Sequence, residues 1–134
     1  MIQFFFVFSD WGLLALRIVV GLIMLRHGWP KVRNLESTAS SFEAMGFRPA
    51  RVWGPLVAFL EFVGGIALIF GIFTQIFAFL FLAQFVVAIL KVTGKKGFVG
   101  GYEFDLLILV SLLTLLVLGG GSFGADSFFG LLLY

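Results

Sequence analysis

Residues 52–73, VWGPLVAFLEFVGGIALIFGIF, carry one charged side chain, Glu61, in a stretch that is otherwise almost entirely apolar. At about 1.5 Å of rise per residue, a helix over this stretch is about 33 Å long, enough to cross the hydrocarbon core of a bilayer. Three other apolar stretches approach this length, at about 11–29, 75–92 and 102–119. The sequence therefore predicts an all-α integral membrane protein, a bundle of four transmembrane helices.

The composition indicates the same class. The chain has 134 residues, of which 61% are hydrophobic and 12% are charged, whereas soluble domains are about a quarter charged. We expect one domain over 1–134, with the lipid bilayer as its main partner and no nucleic acid. Cysteine is absent and His27 is the only histidine, which excludes disulfides, thiolate ligands and a bis-histidine haem, and leaves no metal site to expect.

The segments outside the four spans are short. The first residues, MIQFFFVFSDWG, have no basic stretch and no small-residue cleavage site, so we expect a retained segment at the membrane surface. The longest connection, 30–51, is polar, and its SSFEAMGF stretch is compatible with a short amphipathic helix. A tight turn at about 74–75 is expected between the second and third spans, and GGGSFGAD, at 119–126, is interpreted as a turn after the fourth span.

Four spans place both termini at one membrane surface, the terminal end, and the first and third connections at the other, the loop end. Of the nine Lys and Arg residues, all except Arg17 border the two connections at the loop end. Because basic loops stay in the cytoplasm, we expect a multi-pass protein of the plasma membrane with both termini outside. The alternative is that the first connection is basic for a function, such as anion binding.

Arg17 and Glu61 lie well inside the first and second spans, where a charge costs about 2.5–3.5 kcal/mol on insertion scales. Counted from Trp29 and Trp53, they lie about 18 Å and about 12 Å from the loop end. The reach of an arginine covers this difference, so we predict an Arg17–Glu61 pair in the bundle interior. Two interpretations stay open: a lock between two helices, and part of a functional site.

A second polar layer is predicted near the loop end, where the first, third and fourth spans meet. Histidine titrates near neutral pH, so His27 with Glu103 could exchange protons with a ligand. The alternatives are an interfacial histidine without chemistry, and an acid that complements a helix dipole. No catalytic residue is assigned, and the candidate ligand-binding residues are Arg17, His27, Lys31, Glu61 and Glu103; Lys91 and Asp105 belong to the same layer.

Small residues at helical spacing predict where the helices pack, since they let two backbones approach closely. Glu61, Gly64, Gly65 and Gly71 share one face of the second span, and Arg17 and Gly21 share one face of the first. Gly101, before the fourth span, is a further candidate for helix packing. The phenylalanines of the third span are expected to face lipid, for example Phe77, Phe79 and Phe81.

The order and spacing of these residues resemble the DoxX family of small four-span membrane proteins. The resemblance covers about Leu16 to Asp126. The motifs that carry it are Arg17-x3-Gly21, His27-Gly28-x-x-Lys31, Gly46, Glu61-x-x-Gly64-Gly65-x-x-Leu68-x-x-Gly71-x-x-Thr74, Gly100-Gly101-Tyr102-Glu103, Gly119-x-Gly121 and Asp126. Gly124 departs from the pattern, since family members often have serine there.

The resemblance implies a part in a membrane oxidoreductase system, such as the small subunit of a thiosulfate:quinone oxidoreductase. The first hypothesis is a subunit that binds a quinone near the loop end and receives electrons from a second subunit or a soluble redox enzyme on the cytoplasmic side. This chain is not expected to be catalytic alone. The alternatives are a structural anchor for a soluble redox enzyme, and a carrier or receptor for a small lipidic or anionic ligand. The glycine stripe also allows a homo-oligomer.

Overall fold

The computed structural model describes residues 2–130; Met1 and residues 131–134 of the predicted domain lie outside this range. The described residues form α-helices and no strand, and four helical segments are long and apolar enough to cross a membrane. The predicted all-α membrane fold is therefore confirmed. The helices are α1 (Ile2–Phe6), α2 (Ser9–Arg33), α3 (Leu35–Ala44), α4 (Ala50–Phe70), α5 (Thr74–Ala88), α6 (Glu103–Leu118) and α7 (Ala125–Phe129).

The third and fourth membrane segments extend beyond α5 and α6. The chain continues from α5 through a π-helical turn, Ile89–Thr93, and a 3₁₀ turn, Gly94–Lys96. A second π-helical turn, Phe98–Tyr102, leads into α6 and is broken at Gly100, where φ is +71°. With the first two turns added to α5 and the third added to α6, the helical spans are Thr74–Lys96 and Phe98–Leu118.

Close glycine contacts hold α2 against α4 in antiparallel orientation. A Cβ atom added to Gly28 would lie 2.5 Å from the Phe62 nitrogen, and one added to Gly65 would lie 2.6 Å from the Leu25 nitrogen. Real Cβ atoms do not approach backbone this closely, so larger residues would force the helices apart. These contacts fix the register, with Gly28 level with Glu61, Leu25 level with Gly65 and Gly21 level with Ile69.

The bundle core lies between the four long helices, while large apolar side chains cover its outside as expected of a surface in lipid. Phe79 and Leu107, for example, are exposed. The prediction that Phe81 faces lipid is wrong, because this ring is fully buried beside Gly64, which leaves room for it. The buried core residues are Val20, Met24, Leu68, Ala78, Phe81, Ile108, Leu112 and Leu115.

The connections differ in detail from the predicted ones. The turn after α4 is at 71–73 rather than 74–75, because Gly71 adopts φ +71° and donates its N–H to the carbonyls of Ala67 and Leu68. The amphipathic helix of the first connection, α3, begins at Leu35 rather than near Ser40 and packs along α4. Its contact with α4 is also close, since a Cβ at Gly54 would lie 3.1 Å from the Cα of Ala39.

Candidate functional site

The Glu61 carboxylate is the centre of a polar cluster between α2, α4 and α5. The Lys31 ammonium donates to both carboxylate oxygens, at 2.8 and 2.6 Å, and the Gln84 amide donates to Oε1 at 2.6 Å. The Glu61 side chain is 4% exposed, whereas that of Lys31 is 31% exposed. We call Lys31, Glu61 and Gln84 the carboxylate cluster. Its buried charge is the Glu61 carboxylate, and its partly exposed member, Lys31, lies on the side of the loop end.

Two buried acceptor atoms in the loop-end half have no hydrogen-bond donor among the described residues, and at the other end Arg17 Nε and Thr74 Oγ1 also have no partner there. The two loop-end acceptors are Oε1 of Gln84 and Oδ2 of Asp105, in the first turn of α6. The Gln75 amide bonds to the Leu116 carbonyl and sets the antiparallel register of α5 and α6. This register places Gln84 about level with position 107, so Asp105 lies within about 3 Å of the same height. Buried acceptors are rarely left without a donor, so a donor from outside the chain is expected here.

The predicted Arg17–Glu61 pair is wrong. Arg17 is 1% exposed, and its guanidinium donates to the Gly120 carbonyl at 2.6 Å and to the Phe123 carbonyl at 3.2 Å. The prediction took Trp29 and Trp53 to be level with each other. Because Gly28 lies against Glu61, Arg17 is instead about 16 Å along α2 from the height of Glu61, near the terminal end.

The Arg17 guanidinium belongs to a second buried group, formed with the turn after α6. Asp126, 5% exposed, accepts from the backbone nitrogens of Phe73 and Thr74 at 2.6 and 2.8 Å and so caps the start of α5. Gly71 lies beside the guanidinium, since an added Cβ would be 2.6 Å from Nη1. We call Arg17, Asp126 and the 119–124 turn the terminal lock, because Arg17 binds carbonyls of this turn while Asp126 binds backbone nitrogens at the start of α5.

The remaining predicted site residues lie outside both clusters. His27 is exposed and its Nδ1 is 2.8 Å from the Ile23 carbonyl, while Glu103 accepts from the Gly100 nitrogen at 2.8 Å. The predicted His27–Glu103 couple is therefore absent from the described contacts, and Glu103 has the helix-start role. Lys91 lies 5.3 Å from the Phe47 ring centroid. Gly101 lies against Lys96 within the α5–α6 connection rather than between two spans.

Three functional contacts were missed in the sequence. The contact between Gln84 and Glu61 was not predicted, although an amide inside an apolar span is itself a signal. Asp126 was named only as part of the family pattern. Its role as the cap of α5 depends on the geometry of the turn before it, which the sequence does not show. Every residue has a backbone carbonyl, so the residue types at 120 and 123 do not indicate that these carbonyls bind Arg17.

The carboxylate cluster has the side chains to bind a small polar group, whereas the hydrogen bonds of the terminal lock go to backbone groups of this chain. Lys31 supplies donors, and Glu61 with the unpartnered oxygens of Gln84 and Asp105 supplies acceptors. This donor and acceptor set lies at the loop-end half of an otherwise apolar bundle. Among the residues that the structure describes, no group of three His, Cys, Asp or Glu side chains could hold a metal ion.

Removing one partner of the Lys31–Glu61 pair is expected to be worse than removing both. Lys31→Met leaves a buried carboxylate with only the Gln84 amide, which should lower the free energy of unfolding by about 3–5 kcal/mol. Lys31→Met with Glu61→Leu should recover most of this loss. The melting temperature of each purified variant in one detergent measures the effect.

Lys91→Met is the matched control, because it removes an exposed lysine near the same end. It should melt within a few degrees of the unaltered protein. If Lys31→Met melted like this control, Glu61 would not depend on Lys31 in the way that the distances indicate.

Comparison with known proteins places the chain in a family. The DoxX family model matches residues 12–94. A Bacillus subtilis (strain 168) protein named "Putative oxidoreductase CatD" is 32% identical over 117 residues, which cover 87% of this chain and 86% of that protein. "Inner membrane protein YqjF" of Escherichia coli (strain K12) is 30% identical over 129 residues, covering 88% of this chain and 92% of the relative. No solved structure matches the chain significantly.

The family match covers α2, α4 and α5. The close glycine contacts between α2 and α4 and all three residues of the carboxylate cluster therefore lie within it. The name of the Escherichia coli relative, an inner membrane protein, agrees with the membrane fold. The chain belongs to the DoxX family.

Proposed function

We propose that this chain is the membrane subunit of an oxidoreductase system and binds the ring of a quinone or quinol at the carboxylate cluster. One observation carries the proposal: a buried carboxylate is paired with a partly exposed lysine and with Gln84, whose own amide oxygen has no donor among the described residues. A site of this kind inside an apolar bundle suits a lipid-soluble ligand with polar ring oxygens.

The donors and acceptors of the cluster match both forms of such a ring. A bound quinone would accept two electrons and two protons and so become a quinol. The Lys31 ammonium can donate a hydrogen bond to a ring carbonyl, and the Gln84 and Asp105 oxygens can accept from ring hydroxyls. Glu61, held by Lys31 and Gln84, fixes the positions of the two side chains that would contact the ring.

Electrons for this chemistry have to come from a partner. The chain lacks cysteine, and its described residues hold no candidate metal group. A soluble redox enzyme or a second subunit with its own redox group would supply them. The name of the Bacillus subtilis relative supports a redox role, and the carboxylate cluster lies toward the loop end, where such a partner would dock.

We also propose that the loop end faces the cytoplasm, because eight of the nine basic side chains lie there. The chain has no cysteine, so single cysteines report this directly. A membrane-impermeant maleimide added to intact cells should label Ser127→Cys but label Ser40→Cys only after permeabilisation. The reverse pattern would place the carboxylate cluster near the outer surface and overturn the orientation.

Glu61→Gln keeps the size of the side chain but removes its charge, so it tests the ligand site. In nanodiscs, we expect the dissociation constant of ubiquinol-1, a short soluble probe, to rise about tenfold or more, because Lys31 and Gln84 lose the charged partner that holds them in place for the ring. Titration calorimetry measures the constant, and gel filtration confirms that the variant is folded.

Glu43→Gln is the matched control, since it makes the same change at an exposed position of α3. Its affinity should equal that of the unaltered chain. Equal affinities for all three proteins, or no binding to any of them, would contradict the quinone site. In that event, the double variant Lys31→Met, Glu61→Leu tests the alternative. If it still bound a partner enzyme, the chain would be better described as a structural anchor for a soluble redox enzyme.

A further inference from the structure

An apolar groove runs along the outer surface between α2 and α4, on the side away from the carboxylate cluster. Its volume is about 440 Å³. Trp29 lies about 200° around α2 from Lys31, so the groove and the cluster occupy nearly opposite faces of this helix. The groove is lined by Leu22, Leu25, Arg26, Trp29, Phe62 and Ile66.

The groove exists because the helices behind it are close. Gly21, Gly28 and Gly65 bring the two backbones together, while larger side chains on the outer face stand apart. Trp29 and Phe62 pack at its loop-end half, with ring centroids 5.7 Å apart. From Leu22 to Trp29 the groove follows α2 for about 10 Å, which gives a channel for an extended hydrocarbon chain.

Two guanidinium groups mark the loop end of the groove. Arg26 lines it, and Arg33 lies about two turns further along the same face, 5.6 Å from the centroid of the Trp29 ring. Both residues are exposed, and neither forms a salt bridge with a described residue. An apolar channel that ends at two unpaired cations has the charge and shape of one lipid with a negative headgroup.

We propose that this groove is a specific site for an anionic diacyl phospholipid, with one acyl chain between α2 and α4 and the phosphate between Arg26 and Arg33. A tryptophan at the height of the headgroup, here Trp29, is typical of such membrane interfaces. The site is independent of the proposed quinone function, because no residue of the carboxylate cluster lines it.

Trp29 makes the site measurable by fluorescence. The chain has three tryptophans, so Trp11→Phe with Trp53→Phe leaves Trp29 as the sole reporter. In vesicles of phosphatidylcholine, increasing fractions of phosphatidylglycerol with brominated acyl chains should quench this residue well before the same fractions of brominated phosphatidylcholine do. In the reporter background, Arg26→Gln with Arg33→Gln should weaken the preference for phosphatidylglycerol by roughly 30-fold, or about fivefold for each guanidinium.

Arg48→Gln with Arg51→Gln is the matched control, because it removes two exposed arginines near the loop end that do not line the groove. Its preference should be unchanged, and inorganic phosphate should not relieve the quenching. Equal quenching by both brominated lipids, an equal loss in the control, or relief by inorganic phosphate would each overturn the site. The first would indicate ordinary surrounding lipid, the second a diffuse surface charge, and the third a headgroup contact without the acyl chain.

Discussion

The close contact between α2 and α4 is the constraint on which the rest of the structure depends. Gly28 and Gly65 allow backbone approaches that any side chain would prevent. In lipid, helices gain no hydrophobic driving force from association, so packing of this kind holds them together. The register that results decides which charges meet: Lys31 lies against Glu61, while Arg17 is carried toward the opposite end.

The terminal lock and the carboxylate cluster lie at opposite ends of the bundle and bind different kinds of partner. At the terminal end, Arg17 and Asp126 bind backbone groups of the 119–124 and 71–73 turns, which ties the segment after α6 to the start of α5. At the loop-end half, Glu61 is satisfied instead by two side chains, Lys31 and Gln84, that remain partly accessible. A protein that only needed stability would gain little from the second arrangement, because buried ion pairs return little of their desolvation cost.

Composition and apolar run length were sufficient to predict the fold class, because lipid permits few spanning structures. Residue type also indicated that Arg17 and Glu61 are important, since a charge inside a span is costly. Their pairing was not predictable from span ends, because α4 begins at Ala50 and the glycine contacts offset the two helices. The partners of Arg17 are carbonyls, and Phe81 is buried only because Gly64 makes room for it.

The most direct test of this register is cross-linking in a chain that has no cysteine of its own. Lys31→Cys with Glu61→Cys, and Arg17→Cys with Glu61→Cys, would be treated in membranes with a short bis-maleimide and digested between α2 and α4. The account predicts that the fragments of the first pair stay joined and those of the second separate. Joined fragments for the Arg17 pair, with separation for the Lys31 pair, would contradict the register and the site built on it.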